Sequence, residues 1–138
     1  MEKKISLRQM TALYGAIRTM GEAGVSARGM GMLDLAMDKA KIEPMIVEYE
    51  KMKRLPERIN EYNMKISLCK TPEDREALAV EYSADIAAFR KKELEIADLN
   101  DAERTVDLIL IPKSSLIVDE KNGRAGEVLF GLLPVIAE

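Results

Sequence analysis

Gly29 and Gly31, with Arg28 directly before them and Gly21 and Gly24 upstream, are the residues of this chain best suited by type to hold an anion. A glycine-lined turn entering a helix offers backbone N–H groups and the positive end of the helix dipole. The established phosphate motifs ask for more. No Gly-Lys-Ser/Thr follows, and the residues before the turn have helical spacing, so neither the P-loop nor the dinucleotide fingerprint fits. The plainer reading is an interhelical turn whose glycines allow close packing. Arg28, Gly29 and Gly31 stand as the candidate anion contact, with a small nucleotide as its ligand class.

Acidic residues are plentiful, but their spacing meets no established ligand pattern. Asp34 and Asp38 share a helix face at i,i+4, as do Glu57 and Glu61. A carboxylate di-metal bundle adds Glu-x-x-His pairs, and the chain has no histidine. Asp119-Glu120-Lys121-Asn122-Gly123 carries its glycine one place early for an EF-hand, with lysine where a ligand is needed. Asp98, Asn100, Asp101 and Glu103 make an acidic turn without the glycine. These groups read as solvated faces and caps, so no metal, cofactor or catalytic residue is assigned. Cys69 precedes a helix cap with no base beside it in sequence, and reads as a small, half-buried residue.

The missing histidine removes the usual general base and proton shuttle, and with them the Ser-His-Asp and Cys-His arrangements. With one cysteine, zinc has no ordinary set of nitrogen and sulfur ligands within the chain. The expectation is a protein that is not an enzyme. A net charge of −3 gives no general attraction to nucleic acid or to anionic membrane. Lys51, Lys53, Arg54 and Arg58 form a basic patch, but Glu50, Glu57 and Glu61 are interleaved with it. Mixed signs on one helix read as an exposed face laced with ion pairs.

The nine methionines are concentrated in the first half of the chain. Flexible, polarizable Met side chains fill cores, and they also suit surfaces that adapt to a partner. An apolar stripe wider than one core face would mark a second interface. Met30, Met37, Met45, Tyr49, Met52, Lys53 and Arg54 are the candidate interaction residues.

The elements that must position these residues are mostly helical. Ser6 and Gln9 make a capping box, so a brief strand over 3–6 runs into a helix bearing Leu7, Met10, Leu13, Ile17 and Met20 on one face. Ser26 is the next expected N-cap. Apolar spacing then continues from Ala27 to Tyr62, a span too long for a compact domain if unbroken, so a kink or break is expected near Pro44 and an end or kink near Pro56. Asn63 to Lys70 reads as a connector with a short extended piece. Thr71-Pro72-Glu73-Asp74 is a helix start, with the helix running to about Ala97. Thr105 to Ile111 is the one run that reads better as a strand, with Val106, Leu108 and Leu110 on one face. Leu116 to Val118 is a candidate return strand, and Asn122-Gly123 a turn. Ala125 to Leu133 reads as a closing helix, bent at Pro134, with a strand from Val128 as the rival.

Three stretches carry a resemblance: Lys4-Ile5-Ser6-Leu7 entering a helix; Phe89-Arg90-Lys91-Lys92-Glu93-Leu94 leading through a polar turn into Val106 to Ile111; and the ending Leu129 to Glu138. Their order resembles small uncharacterised proteins encoded by tailed phages and prophages. The resemblance implies a small protein of the host cytoplasm without an assigned activity.

These observations predict a single domain over 1–138, helical α+β, with three main helices and a short closing helix packed on a two- to three-stranded sheet. No apolar run is long enough to span a bilayer and no export signal is read at the start, so the expected location is cytoplasmic. The expected function is protein–protein interaction or self-assembly, with a homo-oligomer as the leading form. Two other classes are weighed. One is an anti-defence inhibitor that blocks a host immune protein or sequesters a nucleotide signal. The other is a nucleic-acid-binding accessory protein using Lys51 to Arg58.

Overall fold

The computed structural model describes residues 1–137; Glu138, the last residue of the terminal stretch singled out above, lies outside the described residues. The chain is α+β and mostly helical. By its internal contacts it forms two compact units, one made of the stretch up to Tyr49 together with the stretch from Asn100 onward, the other of Glu50–Leu99.

In the first unit, β1 (Glu2–Ser6) leads directly into α1 (Leu7–Thr19). The capping box is complete: Gln9 N donates to Ser6 Oγ at 3.1 Å, and Ser6 N donates to Gln9 Oε1 at 2.9 Å. Met10, Leu13 and Ala16 recur at helical spacing and are buried. The chain then turns through Gly24, whose φ is 72°, into β2 (Val25–Ala27). Ser26 therefore lies in a strand, opposite Ile117, and does not cap a helix. The long helix α2 (Gly31–Met52) starts later, after Gly29 with φ 59°. Gly31 is required there, because a Cβ would sit 2.8 Å from the Ala27 Cβ.

The break expected near Pro44 is absent. Pro44 lies inside α2, on its exposed side. Proline removes one helical N–H, and the carbonyl it orphans is that of Ala40, which also lies on the exposed side. Ile42 and Ile46, flanking the proline on the opposite side, are buried and hold both turns to the core. The helix ends before Pro56 as expected, so its 22 residues span roughly 33 Å at the usual helical rise.

After Asn100 the chain forms β3 (Glu103–Asp107), β4 (Ile111–Pro112), a 3-10 turn (Lys113–Ser115) and β5 (Leu116–Val118). It closes with α6 (Ala125–Leu132), a second 3-10 turn (Leu133–Val135) and β6 (Ile136–Ala137). The strand run expected from Thr105 to Ile111 is interrupted. Val106 and Leu108 are buried as the alternation requires, but Leu108–Leu110 leaves the ladder and Ile111 rather than Leu110 is the next buried residue. Three two-stranded ladders replace one small sheet. β1 pairs antiparallel with β3, Lys4 opposite Thr105. β2 pairs antiparallel with β5, Val25 opposite Val118. β4 pairs parallel with β6, Ile111 opposite Ile136. Leu116–Val118 is thus a strand whose partner is β2.

The second unit contains α3 (Glu57–Ser67), α4 (Pro72–Glu81) and most of α5 (Ser83–Asp101). The segment 63–70 is mainly the end of α3 rather than an extended connector. Met64 and Leu68 alternate with polar residues, but they also stand at i,i+4, and helix is the outcome. Thr71 caps α4 as expected, its hydroxyl accepting Asp74 N–H at 3.2 Å. The single helix expected over 72–97 breaks at Tyr82, whose ψ of 12° ends α4 before α5 begins. The described chain therefore has six α-helices where four were expected.

Candidate interaction surface

Helix α2 has two apolar faces. Its inner face follows Gly31, Leu35, Asp38, Ile42, Ile46 and Tyr49, all buried, at intervals of three and four. On the opposite side Leu33, Met37, Ala40, Pro44 and Val47 follow the same alternation and all are exposed. Leu33 and Met37 show 51% and 53% of their surface, so about half of each large apolar side chain faces outward. Intervals of four and three are those of a helix-pairing seam.

The residues singled out from the sequence divide between these faces and the units. Met30, just before α2, and Met37 are exposed. Met45 packs partly against the core, and Tyr49 is buried. Met52, in the second unit, is exposed. Lys53 pairs with Glu50 at 3.4 Å, and Arg54 is exposed with its backbone N–H donating to Lys51 O. Leu33 and Val47, which complete the outer stripe, were not among those residues. Their spacing from Met37 was the available signal.

At the glycine turn the backbone donors have internal uses. Arg28 N donates to Ser115 O at 2.8 Å, and Gly31 N donates to Arg28 O at 3.1 Å. That leaves Arg28, Gly29 and Gly31 with fewer donors for an anion than an open nest would offer.

The carboxylates separate by environment. Asp38 is 1% exposed; its Oδ1 accepts Ile109 N–H at 2.7 Å, and its Oδ2 has no partner among the described residues. Burial pushes its carboxyl up to about 6, opposed by the Ile109 hydrogen bond, with Asp34 raising it further and Lys41 and the Met1 amino group lowering it. Asp107 is held below the usual carboxylate range by hydrogen bonding to the Met1 amino group at 2.8 Å. In the second unit Glu61 accepts from the Tyr82 hydroxyl at 3.3 Å and pairs with Arg58 at 3.3 Å. Arg58 also reaches Asp85 at 3.4 Å, and its guanidinium lies 4.5 Å from the Tyr82 ring centre. Lys65 donates to the Tyr82 hydroxyl at 2.9 Å. Among the described residues, no three carboxylate or thiol groups converge as a metal site would require.

The second unit has a thin interior. Among the described residues of Glu50–Leu99, Ile59 and Tyr82 are the buried ones. Leu55, Met64, Leu68, Val80 and Leu94 are exposed, four of them by 70% or more.

A further apolar feature stands on α6. Gly131 packs so tightly on α1 that a Cβ there would lie 2.8 Å from both Ala12 O and the Ala16 Cβ. Phe130, next to this crossing, is 74% exposed. It borders a groove of about 440 Å³ on one side and one of about 330 Å³ on the other. Phe130 lay outside the helical stripe of Val128, Leu129, Leu132 and Leu133, and that mismatch was its sequence signal.

No helix among the described residues is long and apolar enough to cross a membrane. No protein-family model, curated protein or solved structure matches this chain.

Proposed function

We propose that this chain is a non-catalytic binding protein that works by associating with protein, as a homo-oligomer in the first instance. The observation that carries the reading is the outer face of α2, where Leu33, Met37, Ala40, Pro44 and Val47 form a second apolar stripe opposite the buried one. A helix that needs to satisfy one core alone keeps its opposite face polar. Contiguous exposed apolar surface of this kind is characteristic of interaction sites.

The Glu50–Leu99 unit gives independent support. Two buried residues are a small interior for three helices, and small units commonly gain stability by oligomerising. Two cations of the basic patch, Lys53 and Arg58, are paired with carboxylates at 3.3 to 3.4 Å, which gives a nucleic-acid reading less to stand on. The resemblance to small phage-encoded proteins is compatible with a binding role, and it is the basis for proposing the cytoplasm as the compartment.

The test is light scattering on the full chain beside a Leu33→Glu/Met37→Glu variant. Both sites are exposed, so the variant is expected to keep its circular dichroism and to lose the association made through this face. A wild-type chain that stays monomeric across the accessible concentration range would overturn the proposal.

A further inference from the structure

We infer that the α1–α6 end of the molecule is a self-complementary docking surface, on which Phe130 of one copy enters the α1–α6 groove of a second while the second returns the same contact. This inference rests on the association reading above, names a second copy of this chain as the partner, and adds a second surface distinct from the outer face of α2.

Phe130 is a large aromatic side chain, three-quarters exposed, in a chain with only two phenylalanines and no tryptophan. Aromatic anchors of this kind dominate interface energetics when they fill a pocket on the partner. A groove of about 440 Å³ lies beside it. The larger groove has a floor of Ala12, Gly15 and Ala16 from α1, and a Cβ added at Gly15 would meet nothing within 4 Å. The groove exists because Gly131 brings the two helices into backbone contact beside it.

The two hydroxyls at its floor are not offered to a ligand. The Thr11 hydroxyl donates to Leu7 O at 2.9 Å, and the Thr19 hydroxyl donates to Gly15 O at 2.8 Å. Both donors are committed within α1, so the floor presents an apolar surface.

Charge selects a second copy over other apolar occupants. Arg124 and Glu127 both line this groove, one helical turn apart. Among the described residues neither side chain has an ion-pair partner. Under a two-fold axis each Arg124 can face the other copy's Glu127, so both charges are matched at once. A purely acidic or purely basic peptide would match one and repel the other.

The test uses the full chain, with association measured by light scattering and sedimentation. Phe130→Glu should weaken pairing about thirtyfold or more, as loss of a central anchor does. Gly15→Leu, which fills the groove at an open helical position, should weaken it without loss of helicity. Arg124→Glu and Glu127→Arg should each weaken pairing, and the doubly exchanged variant should restore it. A pair that survives Phe130→Glu and the single charge reversals but is lost in Leu33→Glu/Met37→Glu would overturn this inference and leave the association reading standing. A monomeric wild-type chain would overturn both.

Discussion

Asp38 accepts the backbone N–H of Ile109 at 2.7 Å, from inside the core and at the point where the chain leaves one ladder and has not yet joined the next. An N–H at such a break has lost its strand partner and takes its acceptor from elsewhere. The helix α2 supplies the acceptor. The cost falls on the carboxyl, whose Oδ2 is buried without a partner among the described residues.

That arrangement fixes the sign of a pH dependence. The Asp38 carboxyl is raised from 3.8 to about 6 in the folded chain, so the folded state holds its proton more tightly than the unfolded state. The stability that this preference contributes is fully present below the unfolded value and is lost as pH rises through about 6. The loss amounts to about 3 kcal/mol, at ~1.4 kcal/mol for each tenfold difference in proton affinity between the two states. Asp38→Asn keeps an acceptor for Ile109 and removes the ionisation. Urea unfolding between pH 4 and 7 should show the variant gaining on the wild type as pH rises. Parallel stability curves would contradict this assignment.

The α1–α6 crossing gives a paired prediction about two glycines. Gly131→Ala puts a methyl group 2.8 Å from a backbone carbonyl and from another Cβ, neither of which can swing aside. Overpacking of that kind should cost about 1–3 kcal/mol in urea unfolding. Gly15→Ala, at an open position inside α1, should instead stabilise by about 0.5–1 kcal/mol through helix propensity. Equal effects at the two sites would show that the helices are not in this contact.

Tyr82 is the principal interior residue of the Glu50–Leu99 unit, buried with its hydroxyl between Lys65 and Glu61. Hydrogen exchange should find amides of 57–99 less protected than those of α1 and α6, because few apolar contacts hold them closed. Tyr82→Ala should remove most of that protection while leaving α1 and α6 unchanged. Tyr82→Phe should cost about 1.5–3 kcal/mol, because its hydroxyl bonds to charged groups. Uniform exchange across both units would contradict the thin interior.

The α1 capping box is a local device, and its worth should be local. Ser6→Ala removes the acceptor for Gln9 N–H and should cost about 1 kcal/mol in thermal or urea unfolding. Ser26→Ala, at a strand position that caps nothing, should cost less than half as much. Similar losses at the two serines would place a helix start at Ser26 after all.

The sequence by itself determined the features that depend on residues a few positions apart. Ser6 with Gln9 starts α1, Thr71-Pro72 starts α4, and Pro56 stands at a helix start after a break. Ala125–Leu132 is a helix as its spacing indicates. Each involves caps, prolines or apolar intervals whose energies are settled within one or two turns. Tertiary structure decided what local rules leave balanced. Pro44 stays helical because buried Ile42 and Ile46 outweigh one lost hydrogen bond. Ser26 becomes a strand residue because Ile117, distant in sequence, offers a ladder. The candidate surface divides the same way: the surplus of apolar residues over 30–52 is visible in the chain, but which of them face outward is not. Met37 is exposed and Ile42 buried because the core meets one side of α2, and links from residues distant in sequence, Ile109 to Asp38 and Tyr14 to Glu43 among them, establish which side that is.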